Sequence, residues 1–125
     1  SNVTGDGTVY TGIFGGERFD QNSDFSGSTF TAPVTGRYYL HAYVYSYDMS
    51  TSMHTWNLRL VTSNVTYSGT RYVSTTSDPT EYAATFGLLV DMDASDTATI
   101  ALNVNGGSLA VEWASNSHFG GWLVA

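Results

Sequence analysis

Phe25-Ser-Gly-Ser-Thr-Phe-Thr-Ala-Pro-Val-Thr-Gly-Arg-Tyr-Tyr-Leu40 is the stretch that decides the fold. Thr29-Phe30-Thr31 alternates polar and apolar side chains, the pattern a half-buried strand requires. Pro33 and Gly36 bracket a tight turn, because proline presets φ and glycine accepts conformations other residues resist. From Arg37 the alternation runs without a break to Tyr47, and 37–47 is the clearest strand of the chain. Its even positions, Tyr38, Leu40, Ala42 and Val44, are expected to face a core. Its odd positions, Tyr39, His41, Tyr43, Tyr45 and Tyr47, form a second face of unusual aromatic content.

Outward from that stretch the same grammar repeats. Residues 1–7 read as a linker, broken by Gly5-Asp6-Gly7, and 8–125 as one domain. A first strand is expected at 8–14, closed by Gly15-Gly16, with strand or loop over 17–24. Asp48 to Ser52 reads as a polar loop. The segment 54–62 puts Trp56, Leu58 and Leu60 on one face, and Ser63-Asn64 turns into a strand at 65–67. A further strand at 71–73 sits within a long polar connection that ends at Pro79. Phe86, Leu88, Val90 and Met92 share a face of 80–92, and Ala98, Ile100, Leu102 and Val104 share a face of 96–104. Asn105-Gly106-Gly107 turns into 109–113, and 119–125 closes the chain. Short strands punctuated at regular intervals predict an all-β, two-sheet antiparallel sandwich or jelly roll.

Composition agrees. A chain of 125 residues makes one domain with a substantial core. Nine Tyr, six Phe and three Trp favour strands over helices. There is no Cys, hence no disulfide framework and no thiolate chemistry. Four basic residues against eleven acids give a net charge of -7, too little positive charge to build a phosphate-binding stripe. No apolar run approaches the roughly 20 residues of a membrane helix. No secretory leader is visible, so any targeting signal is expected upstream or already removed.

Three blocks carry a family resemblance: Thr31-Ala-Pro-Val-Thr-Gly36, Leu88-Leu-Val-Asp-Met-Asp-Ala-Ser-Asp96 and His118-Phe-Gly-Gly-Trp-Leu-Val124. In order and spacing they resemble the complement-1q and tumour-necrosis-factor jelly-roll head domains, with Ser95 where that family has Gly. The resemblance spans nearly the whole chain. It implies a complement-1q/TNF-like jelly roll, a homotrimer and a binding role instead of catalysis. It also implies that Trp122 fills a core position. Phe19-Asp-Gln-Asn-Ser-Asp-Phe25 is similar to the variant of this fold at the tips of phage and bacterial fibres.

The aromatic face of 39–47 would be a large exposed apolar patch on a lone sandwich, which points to burial against another copy. The matching strand of the resembled family lines the threefold axis. The expected trimer interface is therefore Tyr39, His41, Tyr43, Tyr45, Phe119 and Leu123. Asp91 and Asp93 are calcium candidates, set against the reading that they and Asp96 are solvated turn acids, since no EF-hand loop is present. His41, His54 and His118 show no paired spacing, so no zinc site is read. No Gly-x-Ser-x-Gly elbow and no catalytic Glu pair is visible, and an enzyme is not expected. Asn2-Val-Thr4 and Asn64-Val-Thr66 fit the glycosylation pattern, as chance allows in a Thr-rich chain.

The function expected is a trimeric head at the tip of a fibre or stalk, outside a cell or on a virion. It would recognise a receptor or surface glycan through distal loops, with no nucleic acid, no membrane insertion and no obligatory cofactor. Two alternatives stand beside it: a purely structural trimerisation cap, and a monomeric carbohydrate-binding module with Trp113 or Tyr72 as its sugar platform.

Overall fold

The computed structural model describes residues 2–14, 25–72 and 80–125. Expectations that fall on 15–24 and 73–79, including most of the fibre-tip block, lie outside the described residues. Two antiparallel sheets stack face to face. In one, β1 (Asn2–Thr4), β10 (Val111–Trp113), β5 (Gly36–Met49) and β11 (His118–Leu123) are joined, and β8 (Thr80–Met92) pairs with β5. Because β8 pairs with nearly all of β5, β10 and β11 share its opposite edge. The second sheet orders β3 (Phe25–Ser26), β4 (Thr29–Thr31), β9 (Thr97–Asn105), β6 (Thr55–Thr62) and β7 (Thr66–Tyr72), and β2 (Tyr10–Thr11) also pairs with β9. This is an all-β jelly-roll sandwich.

The core follows from alternation. Tyr38, Leu40, Ala42 and Val44 of β5 are buried against Trp56, Leu58 and Leu60 of β6 and Ala98, Ile100, Leu102 and Val104 of β9. Each fully buried aliphatic or Phe side chain contributes about 1.5–3 kcal/mol relative to exposure. One core position of β5 is polar. The buried Ser46 hydroxyl accepts from Trp56 Nε1 at 2.9 Å and donates to the Tyr82 carbonyl at 3.1 Å, so the indole N–H does not enter the core unpaired.

Several boundaries differ from the sequence reading. Asn2–Thr4, within the stretch read as linker, forms β1 beside β10, and the buried Thr4 hydroxyl accepts from the Val104 N–H at 3.0 Å. The first expected strand contracts to Tyr10–Thr11. The polar loop expected from Asp48 begins later, because β5 continues to Met49 through a bulge at which Asp48 adopts φ 64°. Asp is among the residues that tolerate this left-handed region, and the kink lets Met49 bury fully. The sequence pattern separates 65–67 from 71–73, whereas Thr66–Tyr72 is continuous because it hydrogen-bonds along β6 from Val61 to Thr55. β8 spans 80–92 as expected, with Val90 and Met92 buried and Phe86 and Leu88 partly so.

Candidate functional site

The outer face of the β5 sheet carries the densest constellation of aromatic and titratable side chains among the described residues. Tyr39, His41, Tyr43, Tyr45 and Tyr47 project from it in alternation with the core residues, and all five are half-buried. Antiparallel pairing brings three residues of β11 beside them: Trp122 opposite Tyr39, Gly120 opposite His41 and His118 opposite Tyr43. The rings interlock. Tyr39 and Trp122 have centroids 5.0 Å apart, His41 and His118 5.7 Å, and Tyr43 stacks on His118 at 5.4 Å with planes 27° apart. Tyr45 and Tyr47 meet edge-on at 6.3 Å. Such ring pairs each contribute roughly 0.5–1.5 kcal/mol beyond the area they bury.

Along the other edge β8 supplies small residues: Gly87 opposite His41, Thr85 opposite Tyr43 and Ala83 opposite Tyr45. Gly87 makes room for the Tyr39 ring, since a Cβ there would lie 1.9 Å from Tyr39 Oη in this rotamer. Tyr39 therefore lies flat across the sheet. Acids border the face at one end. The Tyr45 hydroxyl donates a short hydrogen bond to Glu81 Oε2, which holds the phenol above its usual titration range. Hydrogen bonding to Glu112 does the same for Tyr47. Leu89 and Trp122 remain exposed, at 59% and 54%, leaving an apolar patch at the other end.

Two of the expected interface residues do not belong to this face. Phe119 is buried in the core, in ring contact with Phe14 and Phe25 at 5.8 and 5.6 Å. Leu123 pairs with Tyr38, whose side chain is buried, and is itself 47% exposed. Trp122, expected in the core, points outward instead. The physical reason is Gly121, where a Cβ would come within 2.4 Å of Leu40 Cδ2. Gly121 leaves room for Leu40 on the inner side, and the pairing puts Phe119, Gly121 and Leu123 inward and His118, Gly120 and Trp122 outward.

The remaining candidates separate. Asp91 is paired with Arg37 at 3.0 Å on the exposed surface. The Asp93 N–H and the Asn64 side-chain amide both donate to Asp96 Oδ2 at 2.9 Å, so Asp96 staples the turn before β9 to the β6–β7 hairpin. Among the described residues no three His, Cys, Asp or Glu converge. Trp113 is half-buried, packed between Tyr10 and Phe14 at 5.3 and 5.5 Å, and presents no open platform for a sugar ring. The Tyr72 side chain lies outside the description. No helix among the described residues is long and apolar enough to cross a membrane.

No family model matches this sequence, and no curated protein matches it at a significant level. Among solved structures, the chain is similar to the globular domain of zebrafish complement 1qA protein, with a TM-score of 0.64 and 18% identity over 98% of this chain and 90% of that one. At that identity the similarity establishes the fold, a complement-1q-like jelly roll.

Proposed function

We propose that this domain is a non-enzymatic binding head that assembles as a homotrimer through the aromatic face of the β5 sheet, outside a cell or on a virion. The observation that carries this reading is the face itself. A run of half-exposed rings from Tyr39 to Tyr47, flanked by exposed Leu89 and Trp122, is far more apolar than the solvated outer face of a lone sandwich. A patch of this kind is covered most economically by another copy of the same chain, and a ring of three closes such contacts without leaving an open end. Three weak sites on one rigid scaffold then gain avidity for a repetitive target such as a receptor array or a surface glycan. The distal loops are the natural contact points, since loops on a rigid sandwich carry recognition.

Light scattering at micromolar concentration tests the assembly. The expected mass is three times the 13.5 kDa of one chain. Tyr43→Glu, which buries a charge at the centre of the face in each copy, is expected to give a folded monomer, since an uncompensated buried charge costs on the order of 3–5 kcal/mol. A native protein that scatters as a monomer refutes the trimer. Glycan-array or whole-cell binding by the native trimer separates a recognition head from a cap that only registers fibre chains.

A further inference from the structure

We infer that His41 and His118 form a binding site for a late first-row divalent metal ion on the outer face of the β5 sheet. The two residues are 77 positions apart in sequence but diagonal neighbours across β5 and β11, because Gly120 lies opposite His41 and His118 opposite Tyr43. Diagonal side chains on one face of an antiparallel pair are within mutual reach. Their ring centres lie 5.7 Å apart with planes inclined by 34°. An ion bound about 2.0–2.1 Å from a nitrogen of each ring puts the ring centres roughly 5–6 Å apart, once the offset from nitrogen to ring centre is added. The observed spacing falls in that range, and rotation of the two side chains would turn a nitrogen of each toward one ion.

Local contacts prepare His118 for this role. Its Nδ1 lies 3.4 Å from the Asn116 carbonyl oxygen, and the tautomer that donates to this carbonyl keeps the Nε2 lone pair for a metal. The Tyr43 ring stacks on His118 and backs one face of its imidazole. Gly120, opposite His41, adds no side chain between the two imidazoles. The chemistry of the donors selects the ion. Neutral imidazoles suit zinc, nickel and copper, whereas calcium and magnesium require oxygen. Acids along this sheet are engaged elsewhere, Glu81 with Tyr45, Glu112 with Tyr47 and Asp91 with Arg37. Two imidazoles leave coordination positions for water in a free chain, or for groups of the neighbouring copy where the face is covered. The pair is complete within one chain, so this inference does not depend on the trimer.

Calorimetric titration of tag-free protein with zinc chloride and with nickel chloride tests the site, alongside His41→Gln, His118→Gln and, as a control away from this face, His54→Gln. Expected is saturable binding of both ions to the native protein and to His54→Gln. Binding should weaken by on the order of a hundredfold or more in each of the other two, beyond the roughly tenfold to hundredfold that loss of an outer-shell partner produces. Calcium chloride is expected to give no saturable heat. A Co²⁺ titration should develop visible absorption characteristic of nitrogen ligation in the native protein and not in His118→Gln. Absence of saturable zinc and nickel binding, or binding lost only in His54→Gln, overturns the site. So does equal affinity in the native protein and both face variants, whatever mass the protein shows by light scattering.

Discussion

Ser46→Ala isolates one buried hydrogen-bond junction without altering shape. Ser46 and Trp56 are both fully buried, and the serine hydroxyl is the acceptor 2.9 Å from Trp56 Nε1. Alanine retains the Cβ and removes only the oxygen, so little packing changes. The indole N–H is left in the core with no water to replace its partner, and Ser46 also stops donating to the Tyr82 carbonyl. An orphaned buried donor costs about 1–3 kcal/mol. With a urea dependence of about 1–3 kcal/mol per molar, the unfolding midpoint falls by on the order of 1 M. Urea unfolding followed by tryptophan fluorescence at fixed protein concentration reads this directly, the concentration being held because assembly adds to apparent stability. Trp56→Phe supplies the second arm of a double-mutant cycle. In that background Ser46→Ala should cost less by about 1 kcal/mol, the coupling of a hydrogen-bonded pair in contact. If Ser46→Ala stays within about 0.5 kcal/mol of the native protein, the junction is not holding β5 to β6 and the reasoning fails. The consequence reaches the candidate face, because Tyr45 and Tyr47 flank Ser46 and point to its outer side.

Phe119→Ala is expected to cost about 3–5 kcal/mol in chemical unfolding, as removal of a core ring does. Trp122→Ala should cost the folding of one chain only about 0.5–1.5 kcal/mol, the contact with Tyr39, while weakening self-association by light scattering; a loss of core size without a change in association would invert the facing of β11. The Glu81 hydrogen bond raises the Tyr45 phenol above its ordinary value of 10.0, so the stability it contributes is present below about pH 10 and is lost as pH rises through the elevated value. Tyr45→Phe should therefore show a shallower alkaline decline in melting temperature than the native protein, and identical declines would remove this pair as a cause. Millimolar calcium is expected to move the melting temperature by less than about 2 °C, since Asp91 is engaged by Arg37 and Asp96 by its own turn; a larger rise would call for an oxygen site elsewhere in the chain.

The sequence by itself determined the class of fold and the two faces of its central strand. Local alternation is enough for that: Tyr38 to Val44 can bury one side only if Tyr39 to Tyr45 occupy the other, whatever the rest of the chain does. It likewise placed β8 and the apolar face of β6, because period-2 patterns are written in consecutive residues. The facing of β11 was not legible, since Gly120-Gly121 interrupts the pattern and a shift of one residue exchanges every side chain. The register of the β5–β11 pair decided it, with Gly121 making room for Leu40, Phe119 in the core and Trp122 out. The His41–His118 pair was invisible for the same reason. Strand register sets which distant residues become neighbours, and register is fixed by core packing between strands and not by spacing along the chain.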